Sequence, residues 1–115
     1  MDISYFPLEL FRLKSAYIYS VDELQSMWDN VYADALMMDW KKDSSGASYL
    51  ADCSNMYFDQ IRKIDDETVQ RELAQKVVKD LYRACEEDGI GMYSDDEWMY
   101  MEIVKKIEKH YEESR

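Results

Sequence analysis

Proline occurs once in the 115 residues and glycine three times. Both residue types interrupt regular backbone structure, so their scarcity favours long elements and excludes a disordered chain rich in proline and glycine. Hydrophobic residues make up 47% of the sequence, which is enough to build a core in a chain of this length. We therefore expect a single domain that spans residues 1–115.

Cysteine and histidine are also scarce. Cys53 and Cys85 stand alone, without a CxxC motif or the spacing of zinc ligands, and we expect two reduced thiols in the core. His110 is the only histidine, so a histidine-based metal site or a Cys–His dyad has little support. We expect a protein that is not an enzyme and binds no cofactor or metal. A nucleotide hydrolase with an unrecognised carboxylate site is the least favoured alternative.

Basic residues are few compared with acidic ones: 14 Lys and Arg stand against 25 Asp and Glu, which gives a formal net charge of −11 at pH 7. Direct binding of DNA or RNA is not expected, because that affinity depends on cations that neutralise phosphates. No apolar run is long enough to span a bilayer, and the N-terminal residues do not resemble a signal peptide. We expect a cytoplasmic protein that contacts no membrane and attracts cationic partners.

Helical periodicity is the main structural signal in the sequence. Capping boxes at Ser20–Glu23 and Ser94–Glu97 predict two helix starts, an aspartate at Asp65 or Asp66 predicts a third, and Gly89 is suited to end a helix in the left-handed conformation. The expected long helices cover residues 21–42, 47–63, 67–88 and 95–112, and residues 7–17 form a short helix or an extended segment.

The predicted fold is an all-α, single-domain antiparallel bundle of four long helices plus that N-terminal helix or extended segment. Trp28 falls on the core face of the first long helix. On the last helix the expected core face includes Trp98, Val104, Ile107 and Tyr111, which leaves Tyr100 outside the core.

The charges are segregated along the chain. Residues 15–40 and 84–104 carry twelve carboxylates and no Lys or Arg, whereas six cations lie between Arg62 and Arg83. If the second and last helices are neighbours, their carboxylates form one negative face. The candidate partner-binding residues are these acids and the aromatic and Met side chains predicted to lie outside the core: Asp29, Asp34, Asp39, Trp40, Glu86, Glu87, Asp88, Tyr93, Asp95, Asp96, Glu97, Met99 and Tyr100.

Acidic charge interleaved with aromatic side chains is suited to binding a basic protein. We therefore expect a small inhibitor that occupies the groove of a nuclease or nucleic-acid-binding protein in place of phosphate. In size, charge and helical character the chain resembles small acidic phage and plasmid proteins that block CRISPR effectors or restriction enzymes, and it is similar in the same way to toxin-immunity proteins. The alternative is a structural or adaptor protein, either a homodimer or an assembly component.

Overall fold

The computed structural model of the chain describes residues 8–38, 45–90 and 94–113, without the side chains of Leu8, Ser94, Asp95 and Glu113. These residues form helices and turns and no strand, so the expected all-α bundle is confirmed. The helices are α1 (Leu8–Lys14), α2 (Val21–Met38), α3 (Ser45–Ile61), α4 (Glu67–Glu86) and α5 (Ser94–Glu113).

Three of the predicted capping positions are confirmed, two by their hydrogen bonds and one by its backbone conformation. At the start of α2 the Ser20 N–H donates to Glu23 Oε1 (2.9 Å) and the Glu23 N–H donates to Ser20 Oγ (3.2 Å), which is the reciprocal pair of a capping box. Asp66 is the N-cap of α4 and accepts the N–H of Thr68 at 2.9 Å. Gly89 follows α4 with a φ of 69°, a left-handed conformation that glycine adopts without strain.

Several expected helix ends differ from the observed ones by two or three residues, and the third and fourth helices end at Ile61 and Glu86, each two residues before the predicted end. The helix predicted over residues 7–17 ends at Lys14, because the Ser15 Oγ accepts the Tyr17 N–H (2.9 Å) and so replaces the next helical hydrogen bond with a turn. The third helix begins at Ser45, so Ser45 and Gly46 are helical although the sequence placed them in a loop. The predicted end of the second helix falls in residues 39–44, outside the described residues.

The four long helices alternate in direction along the chain and surround one core. Tyr57 of α3 donates to the Leu24 carbonyl (2.8 Å) and Tyr49 donates to Asp34 (3.2 Å), so α3 runs antiparallel to α2. Helix α5 packs on both α3 and α4, and α4 packs on α2. Within the described parts of both helices, α2 and α5 do not pack on each other, so they occupy opposite corners. The single negative face that required α2 and α5 as neighbours is therefore absent from the described bundle.

The core is built from large aromatic and aliphatic side chains, and it corrects the predicted face of α5. Tyr100 is completely buried, whereas Trp98 is 65% exposed. Ile103, Val104, Ile107 and Tyr111 continue the buried stripe from Tyr100 at the three- and four-residue intervals of an amphipathic helix. Since Trp98 lies two residues, or about 200°, before Tyr100, it faces solvent when Tyr100 faces the core.

One buried charge joins two helices across this core. Asp80 of α4 is only 3% exposed, and its Oδ2 accepts the indole N–H of Trp28 at 2.8 Å. The Lys76 ammonium, 3.0 Å from the same oxygen, supplies the opposite charge. Trp28 is 1% exposed, as predicted for a core residue, and its ring lies 5.1 Å from that of Tyr57. The carboxylate is therefore both hydrogen-bonded and neutralised, which a buried charge requires.

The Ser20 cap should contribute measurably to stability. We expect Ser20→Ala to lower the free energy of unfolding by about 1 kcal/mol, because the Glu23 N–H loses its acceptor. Urea unfolding followed by circular dichroism measures this. The matched control is Ser26→Ala, at an exposed position inside α2, which should leave stability unchanged or slightly higher because alanine is the better helix former. Equal stability of the two variants would contradict the capping role.

The same cap should make stability depend on pH. The hydrogen bond from the Ser20 backbone, followed by that from its side chain, lowers the pKa of Glu23. A lowered folded-state pKa gives stability that is present above the ordinary glutamate pKa and is lost as pH falls through the lowered value. The stability difference between wild type and Glu23→Ala should therefore be full at neutral pH and shrink on acidification. The stability of Glu23→Gln, which has no ionisable group at this position, should depend less on pH than that of wild type, and a wild-type advantage that grows in acid would contradict the prediction.

Removal of the donor to Asp80 should be costly. Trp28→Phe leaves a buried carboxylate without its indole N–H, and we expect a loss of about 1–3 kcal/mol in the free energy of unfolding. Trp98→Phe, the same substitution at an exposed site, should change stability by less than about 0.5 kcal/mol. Chemical denaturation of both variants makes the comparison, and similar losses would show that the Asp80 contact contributes little.

Candidate functional site

The carboxylates of three helices meet at one end of the bundle. There the C-terminal ends of α2 and α4 lie beside the N-terminal ends of α3 and α5. Tyr32 of α2 donates to Asp88 after α4 (2.6 Å). Burial, together with the charges of Glu97 in α5, Glu86 in α4 and Asp96 in α5, raises the pKa of Cys85 in α4. We call the described carboxylates at this end the acidic end: Asp34, Glu86, Glu87, Asp88, Asp96 and Glu97.

The members of the acidic end differ in how freely they face solvent. Glu86, Glu87 and Glu97 are exposed, and among the described residues neither Glu86 nor Glu97 forms an ion pair. Asp88 is half-buried, because it accepts the Tyr32 hydroxyl and lies 3.1 Å from the Arg83 guanidinium. The exposed glutamates are therefore available to an outside cation, while Asp88 is already partly neutralised.

Two buried tyrosines, Tyr32 and Tyr49, donate hydrogen bonds to carboxylates of the acidic end. Burial, reinforced by the Asp88 carboxylate, raises the pKa of Tyr32. Burial likewise raises the pKa of Tyr49, which donates to Asp34. Both hydroxyls consequently stay protonated at neutral pH and act as donors that orient the half-buried carboxylates.

Two predicted contact residues are buried, which corrects their assignment to the surface. Tyr100 is 0% exposed and Asp96 is 4% exposed, because both lie on the face of α5 that packs into the bundle. Met99, beside them, is half-buried. Periodicity could not separate Tyr100 from Trp98, since Val104, Ile107 and Tyr111 are compatible with either residue on the core face. Tyr100 and Asp96 therefore support the site from within.

The other predicted residues are distributed more widely than expected. Asp29 is exposed in the middle of α2, where it lines a cleft of about 330 Å³ between α2 and α4 with Glu72 and Lys76, and it is not part of the acidic end. The binding role of Asp29, Asp34, Glu86, Glu87, Asp88, Glu97 and Met99 stays a prediction. Asp39, Trp40 and Tyr93 lie outside the described residues, and so does the side chain of Asp95.

The sequence analysis missed Trp98 as a surface residue. Its indole stands at 65% exposure on the first turns of α5, beside a groove of about 420 Å³ between α3 and α5. Asp52 of α3 and Glu102 of α5, both exposed, line the groove with it. Met37 at the end of α2 is 62% exposed. Apolar side chains thus accompany the carboxylates at this part of the surface, although they are not the residues that periodicity selected.

The two cysteines are poor nucleophiles. Both thiols are free, and burial raises the pKa of Cys53 to about 12 and that of Cys85 to about 11, so neither forms much thiolate at neutral pH. No group of three His, Cys, Asp or Glu side chains within residues 8–38, 45–90 and 94–113 is arranged to hold a metal ion. None of the helices described has the length and apolar character needed to cross a bilayer.

The acidic end and the Trp98 groove are the features for which a known relative would be most informative. Comparison of the chain with protein-family models, with curated proteins and with solved structures gave no significant match.

Proposed function

We propose that this protein is a small acidic inhibitor that binds a basic nucleic-acid-binding protein or nuclease, and that it acts by binding and not by catalysis. The observation that carries the proposal is the convergence of carboxylates from α2, α4 and α5 at one end of the bundle. Exposed carboxylates on a rigid scaffold present negative charge to a basic groove without the cost of ordering a flexible chain.

The distribution of Lys and Arg also favours the acidic end as the binding surface. The opposite end of the bundle mixes both signs: Arg62 and Lys63 follow α3, while Asp65 and Asp66 lead into α4. The acidic end instead combines exposed Glu86, Glu87 and Glu97 with one described arginine, Arg83, which is occupied by Asp88. Among the described residues, negative charge is therefore concentrated at one end, which would attract a basic partner.

The placement of Glu86 and Glu87 is itself informative. A helix C-terminal end carries partial negative charge and favours Lys or Arg, so two glutamates there oppose the dipole of α4. Stability alone does not favour this arrangement. Residues that break a local rule in this way are typical of functional surfaces, because binding selects the charge that folding disfavours.

Within this proposal the protein acts in the cytoplasm and contacts neither nucleic acid nor membrane. Its target is an effector of the CRISPR or restriction class blocked by a phage or mobile element, or a toxin nuclease neutralised by its immunity protein. Both kinds of target present a cationic groove built to hold phosphate, which carboxylates can occupy.

A second candidate is a non-enzymatic adaptor or homodimer. The observation that favours it is the exposure of Met37 (62%), Leu36 (40%) and Trp98 (65%) near one end of the bundle, since large exposed apolar side chains are frequent in protein interfaces. An interface of this kind depends on apolar burial and should be far less sensitive to salt than one steered by charge.

Charge reversal at the acidic end should separate binding from folding. We expect Glu86→Lys/Glu87→Lys to weaken binding to the basic partner on the order of tenfold, while the free energy of unfolding is kept or raised because lysines suit the α4 C-terminal end. The immobilised protein captures its partner from a lysate of its source cells at low salt. Mass spectrometry identifies it, and calorimetry on the purified pair measures the affinity at two salt concentrations.

The control is Glu72→Lys/Glu108→Lys, which makes the same change in net charge at exposed positions away from the acidic end and should leave the affinity nearly unchanged. The captured partner should also lose its bound nucleic acid when the wild-type protein is added, as measured by fluorescence anisotropy. Recovery of only a second copy of the chain, or of partners indifferent to both salt and the Glu86/Glu87 reversal, would favour the adaptor instead.

A further inference from the structure

The groove between α3 and α5 combines an exposed aromatic ring with carboxylates. Ala51 and Ile103 are nearly buried and form an apolar floor, while the ring of Trp98 stands free at one end. Asp52 lies on the α3 side and Glu102 on the α5 side, and both are exposed. A ligand in this groove would therefore meet an apolar surface and negative charge together.

The lysines near this groove are held by other groups. Lys106 itself lines the groove, and its ammonium lies 3.3 Å from Asn55 Oδ1 and 5.9 Å from the centre of the Phe58 ring, both of which follow Asp52 along α3. The Lys105 ammonium is 3.8 Å from Glu102, a long and exposed pair that solvent screens. Among the described residues, the end of the groove at Trp98 thus presents Asp52 and Glu102 without a tightly bound cation.

The arginines of this chain show which side chain an aromatic ring and a carboxylate bind together. Each of the four described arginines lies over an aromatic ring and pairs with a carboxylate. Arg71, for example, lies 5.0 Å from the centre of the Tyr111 ring and 3.3 Å from Glu67. The other three sets are Arg12 with Tyr19 and Glu9, Arg62 with Phe58 and Asp59, and Arg83 with Tyr32 and Asp88.

We propose that the groove beside Trp98 anchors an arginine side chain of the basic partner, with the guanidinium stacked on the indole and hydrogen-bonded to Asp52 or Glu102. This inference rests on the proposed function and names the contact that gives it specificity. Arginine fits better than lysine because its planar guanidinium stacks on a ring while its N–H groups bond a carboxylate in the same plane. A lysine ammonium is a strongly hydrated point charge and stacks poorly.

Charge complementarity also argues against a second copy of this chain in the groove. A two-fold dimer through this face would bring the same patch on both molecules together. Asp52 and Glu102 of each copy would then face like charges, on molecules that each carry a net charge of −11. An arginine-bearing segment of a basic protein removes that repulsion and pairs a carboxylate with a cation.

The test uses hexa-arginine and hexalysine peptides as probes against the full ¹⁵N-labelled chain at low salt, followed by NMR. Hexa-arginine should shift the Trp98 indole N–H signal and the amide signals of residues 51–55 and 98–103, and should bind about fivefold more tightly than hexalysine. Trp98→Ala should weaken hexa-arginine binding by about five- to tenfold and remove the difference between the peptides. Trp98→Phe, which keeps a ring, should fall between these values.

Matched controls distinguish the site from general attraction to an acidic protein. Tyr82→Ala removes another exposed aromatic side chain, on α4, and should leave binding unchanged. Asp52→Asn/Glu102→Gln should weaken hexa-arginine binding, whereas Glu72→Gln/Glu108→Gln, with the same change in charge elsewhere, should have little effect.

Each of the three outcomes below would refute the proposed arginine site. If hexa-arginine shifts only the acidic end and Trp98→Ala binds it as wild type does, the anchor is wrong while the proposed function stands. If neither peptide shifts the groove signals, the site is also refuted, and the Glu86/Glu87 reversal decides the proposed function by itself. If the groove signals broaden with protein concentration in the absence of peptide, and Trp98→Ala abolishes this, a second copy occupies the groove.

Discussion

The hydrogen bond between Trp28 and Asp80 is the interaction on which the arrangement of the bundle depends. Helices α2 and α4 share less contact than the other neighbouring long helices, and this buried bond of 2.8 Å fixes their alignment near the middle. The Tyr32–Asp88 bond repeats the connection nearer one end. From the first bond to the second, the residue numbers of both partners increase. Helices α2 and α4 are therefore parallel, and their C-terminal ends lie side by side.

The acidic end is a consequence of that alignment. Helices α3 and α5 run antiparallel to α2 and α4, so their N-terminal ends meet the C-terminal ends of α2 and α4. Asp34 in α2 and the carboxylates near residues 86–97 are distant in sequence, and the direction of the helices brings them to one end. Six of the twelve segregated carboxylates therefore lie at one end of the bundle and not on a face along it, whereas Asp22, Glu23 and Asp29 lie elsewhere on α2.

Local signals in the sequence predicted the boundaries well, because capping is decided by a few adjacent residues. The Ser20–Glu23 box, the Asp66 cap and the left-handed Gly89 each depend on groups within a few positions of one another. Which helices are neighbours depends on side chains far apart in sequence, and periodicity carries no such information. Asp80 illustrates this, since the partner of its buried carboxylate is Trp28, 52 residues earlier in the sequence.

Trp98 and Tyr100 show why the candidate site was harder to predict than the fold. Both are large and aromatic, and the buried residues that follow are compatible with either on the core face. Packing places Tyr100 inside and leaves Trp98 65% exposed. That choice turns a residue assigned to the core into the aromatic part of an arginine site.

The four intramolecular arginine contacts show why the exposure of Trp98, in place of Tyr100, matters for binding. Each arginine is held by one ring and one carboxylate, so the chain uses the same combination wherever a described guanidinium meets its surface. Trp98 with Asp52 and Glu102 offers that combination with a ring more exposed than any that the described arginines cover. Under the proposed function, long-range charge at the acidic end would orient a basic partner and speed its approach, whereas stacking and paired hydrogen bonds would act only on contact. The acidic end would then attract any cationic protein, and the Trp98 groove would select a partner with an arginine at the right place.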